Sequence, residues 1–152
     1  MSFAHNQKAF TLIEIILVMV MIAVLATLAS SRMFKSLEKA KIKAVGKDLV
    51  SALRYTRGQA VIKHADKTIS FNVEQKTYQA PNKKVVKIPQ EVEMYVYTAD
   101  SEIADDTTGK IRFFSDGSST GGYVKIVYGK RIQKINVNWL TGEIRMVEGT
   151  SS

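Results

Sequence analysis

Residues 10–31 read FTLIEIILVMVMIAVLATLASS, and Glu14 is the one charged side chain among them. From Ile15 to Ser31 there is no charge at all. A helix rises about 1.5 Å per residue, so a run of this length spans a bilayer core of roughly 30 Å. It exceeds the roughly 7–15-residue apolar core of a secretory signal. Being apolar on every side, it is expected to insert into a membrane rather than to serve as a soluble core helix. Glu14 then poses a question. An ionised carboxylate in hydrocarbon costs on the order of 3 kcal/mol. Either it stays wet near the bilayer edge, a short way after Lys8, or it has a partner.

Outward from this run, the chain changes character. It has 152 residues, a formal charge of +8, 45% hydrophobic and 24% charged residues, and no cysteine. The length fits one domain or two. The composition excludes a wholly disordered chain, a multi-span membrane protein and a repeat array. Without cysteine there is no disulfide framework, thiol nucleophile or Cys-ligated zinc. Residues 1–31 hold only Lys8 and Glu14, residues 32–67 hold ten basic and three acidic side chains, and residues 68–152 hold eleven and ten. The positive charge therefore belongs to one segment. It suits anionic lipid, nucleic acid, an acidic neighbouring subunit, or simply a solvated helix face.

The helical signal continues past Ser31. Phe34, Leu37, Val45, Leu49, Leu53 and Ala60 recur as one stripe with Ile42 beside it, while Lys35, Lys39, Lys43, Lys47 and Arg54 fall largely off it. No proline precedes Pro81, so helix is expected from Phe10 to about Ala65. Gly46 and Gly58 each cost about 1 kcal/mol against alanine within it. From Thr68 the period falls to two, with Ile69, Phe71 and Val73 alternating with polar neighbours. Further strands are expected at Val85–Ile88, Val92–Tyr97, Ile111–Phe114, Tyr123–Tyr128, Ile132–Trp139 and Glu143–Val147, with turns at Pro81-Asn82, Asp116-Gly117, Gly121-Gly122, Tyr128-Gly129-Lys130 and Thr141-Gly142. The fold class is therefore α+β: a long N-terminal helix, first hydrophobic and then amphipathic, packed on a small antiparallel β head. The head is expected to comprise two small sheets and to bury Trp139 in its core.

The string Lys8-Ala9, then Phe10-Thr11-Leu12-Ile13-Glu14 and the apolar run, resembles a type IV prepilin leader. The resemblance implies cleavage between Ala9 and Phe10 by a prepilin peptidase and N-methylation of Phe10. It also implies that Glu14 assists assembly by pairing with the terminal amine of a neighbouring subunit. The family usually has Gly before the cut; Ala9 is the next smallest side chain, so cleavage is still expected. Lys and Arg near the run number one before it and six after it, which by charge alone favours an outside N-terminus. The leader is read directly by the processing machinery, so a cytoplasmic N-terminus is expected.

Two further stretches carry a resemblance. Arg54 to Lys63 is similar to the end of the long helix in H-type minor pseudopilins and FimT-type minor pilins. Residues 113–146 resemble the C-terminal block of the H-type family, with Asp116-Gly117, Gly121-Gly122 and Thr141-Gly142 between strands. The chain is thus identified as a member of the general secretion pathway protein H family, minor pseudopilins of type II secretion. That membership implies a leader at 1–9, a transmembrane and assembly helix at 10–31, an amphipathic stem at 32–67 and a periplasmic head at 68–152. It implies a single-pass inner-membrane protein that enters a pseudopilus. The implied partners are major and minor pseudopilins, the prepilin peptidase, the inner-membrane assembly platform, membrane lipid and secreted substrate. The alternative is a FimT-like minor pilin of a type IV pilus, acting in pilus assembly or DNA uptake.

Other chemistry is poorly supplied. His64 is the only histidine beyond the leader, and it lacks a nucleophile-elbow context. Gly117, Gly121 and Gly122 precede no Gly-Lys-Ser/Thr and read as turn glycines rather than a phosphate loop. Asp100, Glu102, Asp105 and Asp106 lack calcium-loop spacing and read as a solvated loop. Arg57 alone reads as a surface helix residue. Lys125, Lys130, Arg131 and Lys134, interleaved with Tyr123 and Tyr128, form a candidate single-stranded nucleic-acid surface in the alternative reading. No catalytic, metal or cofactor site is expected.

Overall fold

The computed structural model describes residues 11–99, 103–105 and 107–150, with side chains described for 11–27, 37–99 and 107–149. The chain divides into two compact units, residues 1–37 and 38–152.

Helix α1 runs Leu12–Lys63. Thr11 starts it: the Glu14 backbone N–H donates to the Thr11 carbonyl at 3.0 Å and to its Oγ1 at 3.4 Å, which satisfies a helix-end donor. In the first unit the apolar side chains from Leu12 to Leu25 are exposed on every side. Among the described residues no helix is long and apolar enough to cross a membrane. The described apolar side chains stop at Thr27, while the uncharged sequence continues to Ser31.

In the second unit α1 buries Ile42, Val45, Leu49, Leu53 and Ala60, at the three- and four-residue spacings of one helix face. Leu37, expected in that stripe, is 62% exposed, because the buried face begins only at Ile42. Phe34's side chain lies outside the described residues. The helix closes where His64 takes φ 48° and the Ala65 N–H donates to the Ala60 carbonyl at 3.2 Å. This is the six-to-one bond of a left-handed cap, with histidine where glycine is usual.

Nine strands follow among the described residues: β1 Lys67–Asn72, β2 Thr77–Gln79, β3 Val86–Lys87, β4 Glu93–Tyr97, β5 Ile103–Asp105, β6 Thr108–Phe113, β7 Gly122–Tyr128, β8 Arg131–Val137 and β9 Ile144–Thr150. They form two antiparallel sheets, β3-β2-β1-β6-β5 and β4-β7-β8-β9. The expected α+β class and the two-sheet head are both present. β2 and β5 are additional to the expected strands. β2 has two consecutive buried residues, Thr77 and Tyr78, so it carries no alternation to detect. β5 lies in the acidic stretch, whose composition reads as loop.

The core sits where α1 meets the sheets. Leu49 and Leu53 from the helix, Ile69 and Phe71 from β1, Ile111 and Phe113 from β6, and Val124, Ile126 and Ile135 from β7 and β8 are fully buried. Each is worth about 1.5–3 kcal/mol relative to exposure. Trp139 is a correction: it is 65% exposed and its neighbour Leu140 is 64% exposed. The cause is Asn138, whose Oδ1 accepts the backbone N–H of Leu140 at 2.9 Å and of Thr141 at 3.0 Å. This Asx turn ends β8 at Val137, short of the expected Trp139, and carries the indole outward.

Candidate functional site

The processing residues Ala9 and Phe10 lie outside the described residues. Glu14 occupies the first turn of α1 and is exposed. Among the described residues its carboxylate has no hydrogen-bond or ion-pair partner. Thr11-Leu12-Ile13-Glu14 also has the Thr-x-x-Glu spacing of a capping box, a signal present in the sequence alone. Only half of the box is made, since Thr11 accepts from Glu14 while the carboxylate does not reach back. The carboxylate is ringed by exposed Leu12, Ile13, Ile15, Leu17 and Val18.

The four basic residues of the candidate nucleic-acid surface do not converge. Register aligns Tyr95, Lys125, Lys134 and Val147 across the second sheet, with Tyr97, Tyr123, Asn136 and Arg145 in the next row. These rows face away from the buried Met94, Val124, Ile126 and Ile135. Lys125 Nζ lies 4.4 Å from the centroid of the Tyr95 ring, Lys134 Nζ 3.7 Å from that of Tyr123, and Tyr97 stacks on Tyr123 at 4.4 Å. Such cation–π pairs are worth about 0.5–1 kcal/mol at exposed sites. Tyr95 donates to Glu93 Oε2 at 2.9 Å, and this bond, with the carboxylate's charge, raises the Tyr95 phenol above its usual range. Lys130 sits in the β7–β8 turn. Arg131 has the parity of buried Gln133 and lines a small cleft with Lys39 and Ile42 instead. Tyr128 packs against the core beneath Lys41, whose Nζ is 5.5 Å from its ring centroid. Two of the four cations, then, share a face with tyrosines.

Arg57 is the polar site that the sequence reading missed. Its Nε donates to the Gly117 carbonyl at 3.0 Å and its Nη2 to the Thr141 carbonyl at 3.0 Å. One guanidinium thereby ties α1 to two turns distant in sequence. Both turns are preset. Asp116 Oδ1 accepts the Ser118 N–H at 2.9 Å and its hydroxyl at 2.6 Å, and these bonds hold the Asp116 carboxyl below the usual aspartate range. Gly142 stands at φ 62°, and a Cβ there would collide with the Gly117 carbonyl and lie 2.8 Å from Arg57 Nε. Glycine is therefore required on both counts.

His64 serves as the helix cap already described. Among the described residues no group of three metal-ligating side chains occurs, and the acidic loop lies mostly outside them.

The N-terminus matches the prokaryotic N-terminal methylation motif over residues 4–30. Residues 46–141, more than half of the chain, match the family model of the Type II transport protein GspH. This chain belongs to the GspH family. The GspH match takes in Arg57, Gly117 and Thr141, so the hydrogen-bonded knot lies within the family's span. A curated relative from Xanthomonas campestris pv. campestris, Type II secretion system protein H, is 29% identical over 141 residues, covering 93% of this chain and 83% of its own length. Among solved structures, the minor pseudopilin EpsH from the Type 2 Secretion System of Vibrio cholerae aligns with a TM-score of 0.56 at 11% identity, over 70% of this chain and 96% of its own. The type IV minor pilin FimU of Pseudomonas aeruginosa aligns at 0.54 and 12%, over 72% and 90%. At these identities the two structures establish the shared fold, a helix with antiparallel sheets.

Proposed function

We propose that this chain is a minor pseudopilin of a type II secretion system, a structural subunit rather than an enzyme. The observation that carries the reading is the joining, in one chain, of a methylation motif at residues 4–30 and a GspH domain at residues 46–141. A prepilin peptidase cuts between Ala9 and Phe10, and Phe10 is N-methylated. Before assembly, residues 10–31 span the inner membrane with the N-terminus cytoplasmic and the head periplasmic. On assembly the apolar helix exchanges lipid for neighbouring helices of the pseudopilus, near its tip. The Glu14 carboxylate pairs there with the Phe10 amine of a neighbour, so that neither charge is buried alone. The head contacts other pseudopilins and offers a surface to the assembly platform and to secreted substrate. The test is N-terminal sequencing after co-expression with a prepilin peptidase. A chain beginning at N-methylated Phe10 is expected; an uncut chain, or one cut elsewhere, contradicts the reading.

The tyrosine and lysine rows on the outer face of the second sheet favour a second reading, a FimT-like minor pilin in DNA uptake. In that case the full chain in micelles shifts single-stranded DNA in a gel at low salt, and the shift weakens as salt rises. Absence of binding at low salt removes it.

A further inference from the structure

Among the described residues, the longest free strand edge lies beside a basic face of the helix. β9 is the last strand of its sheet and pairs with β8 without interruption from Ile144 to Thr150. Among the described residues its backbone groups have no partner on the side away from β8. Proteins guard such edges with short strands, bulges or prolines. Here β3 has two residues and β5 has three with a register shift, whereas β9 has seven, no proline and no bulge.

Between β9 and α1 runs a cleft of about 560 Å³, with Lys47, Val50 and Arg54 on the helix side and Ile144, Arg145 and Met146 on the strand side. Glu143 at its rim is paired with Arg145 at 2.9 Å. Lys47 and Arg54 have no hydrogen-bond or ion-pair partner among the described residues. At 100° per residue, Lys39, Lys43, Lys47 and Arg54 fall within an arc of about 80° on α1. Like charges at four-residue spacing repel one another; Glu148 lines a cleft with Lys39, and Glu143, paired with Arg145, lines the one with Lys47 and Arg54, so the cluster stays net positive.

We propose that β9 and this helix face together bind an extended acidic segment of a partner protein, added to the sheet as a fifth strand. The free edge supplies main-chain hydrogen bonds, and alternate side chains of the guest reach the cleft. Carboxylates at those positions meet Lys47 and Arg54, and an apolar residue meets Val50. A second copy of this chain fits poorly, since edge-to-edge pairing would bring two basic helix faces together. The proposal does not depend on processing or pseudopilus entry, so the two can fail separately.

The test uses the full chain in detergent micelles and a fluorescein-labelled heptapeptide of alternating glutamate and valine. Anisotropy is expected to show binding at least about tenfold tighter than for the lysine–valine counterpart. Lys47→Glu with Arg54→Glu, both at exposed positions, is expected to lower affinity at least about tenfold without changing the melting temperature. Amide exchange is expected to slow in β9 on binding. Failure of the glutamate–valine peptide to bind, equal binding of the two peptides, or protection confined to other strands overturns the proposal. So does displacement of the bound peptide by a single-stranded DNA probe at equal charge.

Discussion

Arg57 joins the helix to the Gly117 and Thr141 turns, and its contribution is testable on its own. Hydrogen bonds from a charged donor are worth about 1.5–3 kcal/mol. Arg57→Ala is therefore expected to cost about that much in unfolding free energy, measured by denaturant titration, and Arg57→Lys nearly as much, because an ammonium cannot reproduce the fork that serves two carbonyls. No local pattern could have revealed this role, since the two acceptors lie far along the chain. Trp139 shows the converse. Its size suggests a core residue, yet the Asn138 turn before it decides its direction. At the Gly117 turn, Asp116 sets a pH dependence. Its carboxyl is held down chiefly by the Ser118 hydroxyl and then by the Ser118 N–H. A depressed folded-state pKa contributes stability above the ordinary aspartate value, and that contribution is lost as pH falls through the folded value. Asp116→Asn is expected to flatten this acid limb of stability, as read by denaturation midpoints from neutral to acidic pH.

At the scale of elements, the two helix glycines have opposite roles, though the sequence presents them alike. A Cβ on Gly46 would overlap Gln133 Oε1 and stand 3.0 Å from Met146 Sδ, whereas one on Gly58 meets nothing within 4 Å. Gln133 is only 3% exposed, so its carboxamide has little room to yield. Gly58→Ala is expected to raise stability by about 0.5–1 kcal/mol through helix propensity. Gly46→Ala is expected to lower it by about 1–3 kcal/mol through overpacking, and Gln133→Ala in the same chain to recover part of that loss; chemical denaturation measures all three. Helix α1 and the hairpins from β6 onward were legible because their periods are long and clean. β2 and β5 were not, since three residues carry no period. The basic cluster at 125–134 shows a limit of reading by proximity. Lys134 and Arg131 are an odd number of residues apart on one strand, so alternation sends them to opposite faces.

For the whole molecule, the methylation motif and the head were both legible as contiguous strings, and family membership follows from the match at residues 46–141. The proposed pairing between copies starts from a deficit. An acid stands on an uncharged helix face with no partner among the described residues, and its proposed partner is the terminal amine of a neighbour. The most direct measurement replaces that acid. In secretion-competent cells lacking their own H-type subunit, Glu14→Leu is expected to be inserted and cleaved normally. Its recovery in sheared pseudopili, and secretion with it, is expected to fall by about tenfold or more, since the neighbour's amine is left unpaired. If instead the leucine variant enters pseudopili and supports secretion at the level of the unsubstituted chain, the account of assembly is wrong.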